Sequence, residues 1–273
     1  MPRILHLLKL KDYVTVLGSF FAFVSIILSL IGFSTRDNYW ILLSCLFIFF
    51  SVCTDTLDGL IARKMKQEND IGVQIDSLSD CVSFVIAPAV MIYSAFGGGW
   101  LLIACGILVV CGVLRLAWFN IEDTTEGYIG LVTPMSASTL ILYFLIIYFY
   151  EKIISTGNVA INSFYLSFQI WENYLKNAIT ISIVVIILGI LNLADFLRYT
   201  KKVRKKRGLW QYYIIGATIS IISIIIILEI SAFFPNLWTI GFVIAHAWSV
   251  VAFWCCIGYI IWGVITWYKL KGD

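Results

Sequence analysis

Long apolar stretches, broken by short polar ones, dominate this chain of 273 residues. Eight stretches are long enough to cross a bilayer, which takes about 20 apolar residues in a helix. They run near 13–33, 40–62, 73–95, 100–119, 131–150, 178–196, 209–233 and 238–267. The polar breaks between them are turns and loops, among them Ser34–Asn38, the glycine run 97–99, Asn120–Tyr128 and the region of Pro235. Residues 151–175 are mixed and aromatic, as suits an interfacial segment. The start of the chain, MPRILHLLKLK, alternates apolar and basic side chains, which suits a segment lying on the membrane surface. The pattern therefore predicts an all-α, polytopic integral membrane helical bundle of about eight transmembrane helices. We divide it into an interfacial segment at 1–12, a six-helix core at 13–198 and a two-helix extension at 199–273.

Composition agrees. The chain is 61% hydrophobic and 13% charged, against roughly half and a quarter in soluble domains. A net charge of +3 does not suggest a nucleic-acid partner. The seven cysteines fall in apolar runs without metal-like spacing and read as small buried residues. Basic residues gather at the N-terminus, at Arg63–Lys66, in the run KKVRKKR at 201–207 and at Lys269 and Lys271. With eight spans these fall on one side, so both termini are expected in the cytoplasm.

One stretch breaks the apolar rule. Residues 55–80 read DTLDGLIARKMKQENDIGVQIDSLSD. Asp55 and Asp58 are three apart and Asp76 and Asp80 four apart, so each pair shares a helix face. If the two helices run antiparallel, four carboxylates converge near the cytoplasmic face. Each carboxylate at membrane depth costs about 2.5–3.5 kcal/mol on insertion scales, so four of them require a partner. Divalent Mg²⁺ or Mn²⁺ takes oxygen ligands, and two-ion sites are built from shared carboxylates. Gly59 lets a ligand approach the helix closely, Ala62 keeps the same surface low, and Gly72 opens the facing helix. Arg63 is placed either to hold a phosphate or to anchor the helix at the cytoplasmic interface.

The residues Asp55, Asp58, Gly59, Ala62, Arg63, Gly72, Asp76 and Asp80 form the pattern D-x-x-D-G-x-x-A-R, eight residues, G-x-x-x-D-x-x-x-D. This resembles the signature of the CDP-alcohol phosphatidyltransferases, and all eight fixed positions match. The resemblance implies an integral membrane enzyme that moves a phosphatidyl group from a CDP-lipid to an alcohol and releases CMP. It implies that Asp55, Asp58, Asp76 and Asp80 bind Mg²⁺ or Mn²⁺, two ions in all. Asp80 would also take the proton from the acceptor hydroxyl. Asp58, Gly59, Ala62, Arg63 and Gly72 would line the CDP-lipid.

Two further stretches bear on the acceptor: LRLAWFN, with Arg115 and Asn120, and GYIGLVTPMSAS, with Thr133. An arginine in an apolar run needs an anionic partner or a route to the interface. Together the stretches resemble the phosphatidylserine synthase branch of the family, with Trp118, Val132 and Met135 departing from its pattern. The expected substrates are CDP-diacylglycerol or an ether-lipid analogue, and L-serine, held by Arg115, Asn120 and Thr133. Inositol, inositol phosphate or glycerol phosphate are alternative acceptors, though a phosphorylated one asks for more basic residues than Arg115. A homodimer is compatible with this class of membrane enzyme. A cation transporter would use the same aspartates, but leaves Gly59, Ala62, Arg63 and Gly72 without a role, and no inverted repeat of the cluster appears.

Overall fold

The computed structural model describes residues 8–65, 70–121, 127–200 and 235–272. Ten α-helices are described: α1 Leu10–Thr35, α2 Asn38–Met65, α3 Asp70–Asp80, α4 Ala87–Phe96, α5 Gly99–Ile121, α6 Thr133–Ser155, α7 Val159–Leu166, α8 Gln169–Lys176, α9 Ala178–Asn192 and α10 Pro235–Gly272. A π-helical turn, Cys81–Ile86, joins α3 to α4. One small antiparallel ribbon pairs β1 (Gly127–Ile129) with β2 (Arg198–Thr200). The architecture is the all-α membrane bundle read from the sequence. Six helices among the described residues are long and apolar enough to cross a membrane, or up to seven if α8 and α9 are taken as one bent span. The expected seventh span, 209–233, and the basic run 201–207 lie outside the described residues.

Three boundaries differ from the expectation. The first helix begins at Leu10, so Lys11 and Asp12 belong to it rather than to a surface segment. Residues 151–175 resolve into the end of α6, α7 and α8, with Ile170, Trp171 and Tyr174 exposed on α8. Lys176 at the end of α8 pairs with Glu151 and Glu172, which ties that short helix to α6. The sixth stretch is a helix only over Ala178–Asn192, bent 64° from α8. Its 15 residues span about 22 Å, short of the roughly 30 Å hydrocarbon core. It stops because the chain turns back against the loop before α6. There the Leu131 N–H donates to the Leu191 carbonyl and the Gly130 N–H to that of Leu197, both at 2.9 Å.

Packing in this bundle is driven by small residues, because lipid offers no hydrophobic gain for burying large ones. The buried stripe of α1 is Asp12, Thr15, Gly18, Ala22, Ser25, Ser29 and Gly32, while Phe20, Phe23, Leu30 and Phe33 face outward. That stripe seats α1 antiparallel on α2. Ser25 and Ser29 hydrogen-bond Ser44 (2.8 and 2.7 Å), and Ser51 donates to the Gly18 carbonyl (2.8 Å). A Cβ on Gly18 would lie 2.6 Å from Thr54 Oγ1, so only glycine fits the seam. Helix α6 lies in the middle, buried along nearly its whole length from Thr133 to Ile153. Helices α5 and α9 run side by side in the same direction: Gly98 stands beside Ala178, and Gly189 packs against Leu108 and Cys111.

Candidate active site

The site sits where α1, α2 and α3 meet. Helices α2 and α3 bring Asp55, Asp76 and Asp80 together, with one carboxylate oxygen from each within 4.8 Å of the others. The spacing explains this locally: Asp76 and Asp80 lie one turn apart on one face of α3.

Asp58 is not in that triad. It lines the same narrow cleft with Asp55 and Asp80, but its carboxylate is held by α1. Thr15 Oγ1 donates to Asp58 Oδ2 at 2.5 Å, and Asp58 is only 6% exposed. The same helix fixes α3, since Ser79 Oγ donates to the Thr15 carbonyl (3.0 Å) and Ser19 Oγ donates to Ser79 Oγ (2.9 Å). The start of α1 also adds charge. The Lys9 N–H donates to Asp12 Oδ2 (2.8 Å), Lys11 lies 3.8 Å from Asp12, and the charges of Lys11 and Asp12 both act on Asp76. Sequence reasoning missed this contribution. Asp12 and Thr15 sit three apart on one face of an otherwise oily helix, and that was the available signal.

Beyond Asp80 the α-helix widens into the π-helical turn, in which the Ala87 N–H bonds to the Val82 carbonyl. Pro88 follows in the first turn of α4, and its missing N–H and ring break the regular ladder there. Ser83 lies in this turn and lines the aspartate cleft. Its buried hydroxyl finds no hydrogen-bond partner among the described residues. Such turns are concentrated at functional sites.

Gly59 and Ala62 lie one and nearly two turns beyond Asp55 on α2, and Gly72 is buried in α3. Arg63 is the next residue of α2, and its side chain lies outside the described ones. Arg115 is buried, 7% exposed, with its guanidinium 5.7 Å from the Phe119 ring centre. Its charge acts on Asp80. Asn120 is exposed and accepts a hydrogen bond from Ser77, the neighbour of Asp76, at 2.8 Å. Thr133 is fully buried at the start of α6. The structure thus brings Asp55, Asp76, Asp80 and Asp58 to one cleft, ties Asn120 to its edge through Ser77, and buries Arg115 on α5 and Thr133 at the start of α6.

This geometry coincides with a family match. The family model described as CDP-alcohol phosphatidyltransferase covers residues 9–171, which includes every aspartate of the site and the Thr15 that supports it. The chain belongs to the CDP-alcohol phosphatidyltransferase family. Among relatives of this chain are the CDP-diacylglycerol–serine O-phosphatidyltransferase of Methanocaldococcus jannaschii, 37% identical over 141 residues (52% of this chain, 63% of the relative), and the archaetidylserine synthase of Methanothermobacter thermautotrophicus, 33% identical over 148 residues (52% and 60%). The CDP-diacylglycerol–serine O-phosphatidyltransferase of Saccharomyces cerevisiae is 34% identical over 134 residues (46% and 48%). The chain spans less than two thirds of the length of each.

Proposed function

We propose that this protein transfers a phosphatidyl group from a CDP-lipid to L-serine and releases CMP, with Mg²⁺ or Mn²⁺ required. The observation that carries this reading is the convergence of Asp55, Asp76 and Asp80 within 4.8 Å, inside the stretch that the family model matches. The donor set fits a hard divalent ion. Three carboxylates offer only oxygen, and like charges this close at membrane depth call for a cation. Asp55, Asp76 and Asp80 would hold it, with Asp58 oriented by Thr15 as a fourth ligand. When bound, such an ion would supply positive charge against the diphosphate and the departing CMP.

The remaining chemistry falls to side chains. Asp80 accepts the proton of the serine hydroxyl. The serine oxygen forms a bond to the lipid-linked phosphorus as the bond from that phosphorus to CMP breaks, and CMP leaves with the electron pair. Gly59, Ala62 and Gly72 leave room for the nucleotide along α2 and α3, and Arg63 holds a phosphate. Arg115 supplies the positive charge that an amino-acid carboxylate needs, with Asn120 and Thr133 bordering it. The relatives named for serine favour it over inositol, its phosphate or glycerol phosphate. A relative named for archaetidylserine makes an ether-linked donor as suitable as diacylglycerol. Lys9, Lys11, Arg63 and Lys64 flank the aspartate stretch or the start of α1 in the sequence, and this charge bias supports a site toward the cytoplasm.

The test is CMP release by the purified protein in detergent, with CDP-diacylglycerol, Mg²⁺ or Mn²⁺, and one alcohol at a time. Release with serine, abolished by Asp80→Asn, supports the reading. Release only with inositol or glycerol phosphate keeps the reaction and overturns the acceptor. No release with any alcohol, from protein that binds CDP-lipid, overturns the transferase reading in favour of an ion-transport site.

A further inference from the structure

Two buried polar atoms at the junction of α6 and α9 have no hydrogen-bond partner among the described residues. Thr133 Oγ1 belongs to a residue 0% exposed and Asn192 Oδ1 to one 2% exposed. A desolvated hydroxyl or amide oxygen without a partner is costly, so two at one junction point to a ligand that completes them. The backbone brings the two residues to the same corner. The Leu131 N–H donates to the Leu191 carbonyl at 2.9 Å, and a Cβ on Gly130 would stand 2.3 Å from the Asn192 carbonyl oxygen. Gly130 avoids that clash by lacking the atom, and its φ of 79° is one that glycine tolerates.

The corner adjoins the aspartate site through Arg115. Helices α5 and α9 are parallel neighbours, with Gly189 packed on Leu108 and Cys111. Three residues further on α9 is Asn192, and Arg115 is seven beyond Leu108 and four beyond Cys111 on α5, so the two stand within about one helical turn of the same level. Helix α5 also meets α3, where Ser77 donates to Asn120 at 2.8 Å, so Arg115 lies on the helix that joins the corner to the aspartate site. Asn192 lies beyond residues 9–171, so the family match does not reach it.

We propose that Asn192 is a specificity residue that accepts a hydrogen bond from the ammonium group of an amino-acid acceptor. Arg115 takes the acceptor's carboxylate, and Thr133 completes the pocket wall. The inference rests on the serine reading above and deepens it. An amide oxygen is a pure acceptor, and a bond to an ammonium is charge-assisted and stronger than one to a neutral hydroxyl. The corner therefore separates serine from alcohols that carry no amine.

The experiment compares the full-length wild type with Asn192→Leu and Asn192→Asp. CMP release is measured against L-serine and against 3-hydroxypropionate, which is serine without its ammonium. Stabilisation by CDP-diacylglycerol is followed in parallel by thermal unfolding. Asn192→Leu should raise the KM for serine about tenfold or more, with kcat within about threefold. It should leave the KM for 3-hydroxypropionate unchanged, and Asn192→Asp should restore the serine KM. An unchanged serine KM in Asn192→Leu, or an equal rise for both acceptors, overturns the assignment. Loss of CDP-lipid stabilisation in both variants overturns it too, because the residue is then structural. A wild type that releases CMP with 3-hydroxypropionate as readily as with serine overturns the ammonium contact alone. One that releases CMP only with inositol or glycerol phosphate overturns the serine reading beneath it.

Discussion

Replacing Thr15 by valine removes one hydroxyl and keeps the shape of the side chain. In the wild type that hydroxyl donates to Asp58 at 2.5 Å, between two residues that are both buried. A hydrogen bond to an ionised group contributes about 1.5–3 kcal/mol, and its loss leaves a carboxylate oxygen desolvated. If Thr15 serves to orient Asp58 as a ligand, the same energy appears as metal affinity. The concentration of Mn²⁺ giving half-maximal CMP release should then rise roughly 10- to 150-fold in Thr15→Val, while Thr15→Ser stays near wild type. Direct Mn²⁺ binding followed by electron paramagnetic resonance checks that the change lies in affinity. A double-mutant cycle with Asp58→Asn isolates the pair, because Thr15→Val should cost little once the charge is gone. Equal Mn²⁺ dependence in Thr15→Val and wild type would refute the reasoning, as would an equal loss in the Asp58→Asn background.

Further outcomes follow from the same geometry. Asp80→Asn should abolish CMP release while the protein still purifies as a folded species with an unchanged elution volume. Stripping divalent ions with EDTA should stop turnover, and Mg²⁺ or Mn²⁺, but not Na⁺, should restore it; full activity in excess chelator would contradict the assigned ligands. Gly18→Leu forces a side chain into the space where a Cβ already meets Thr54 Oγ1 at 2.6 Å, and overpacking of this kind costs about 1–3 kcal/mol, read as a lowered thermal midpoint in detergent. Ser77→Ala removes an exposed hydrogen bond to Asn120 and should shift that midpoint by no more than the roughly 0.5 kcal/mol usual for surface changes.

Local pattern was enough for much of this protein. Uninterrupted apolar runs marked the helices of α1 to α6 and α10, since a bilayer tolerates little else. Helical spacing placed Asp55 with Asp58 and Asp76 with Asp80, and the eight-position motif pointed to the reaction. Spacing along one helix says which side chains share a face, but not which face meets which. That was decided by packing between residues far apart in the chain. Thr15 meets Asp58 across 43 positions, and Ser79 meets the Thr15 carbonyl across 64. The stripe of small residues on α1 seats that helix against the aspartates, and it draws Asp58 out of the triad formed by the other three. The short α9 was likewise beyond reach of hydropathy, because its end is set by backbone hydrogen bonds to the loop at 130–131 rather than by polarity. Asn192 looks like a helix terminus in the sequence. Only the fold shows it buried against the loop that leads into α6.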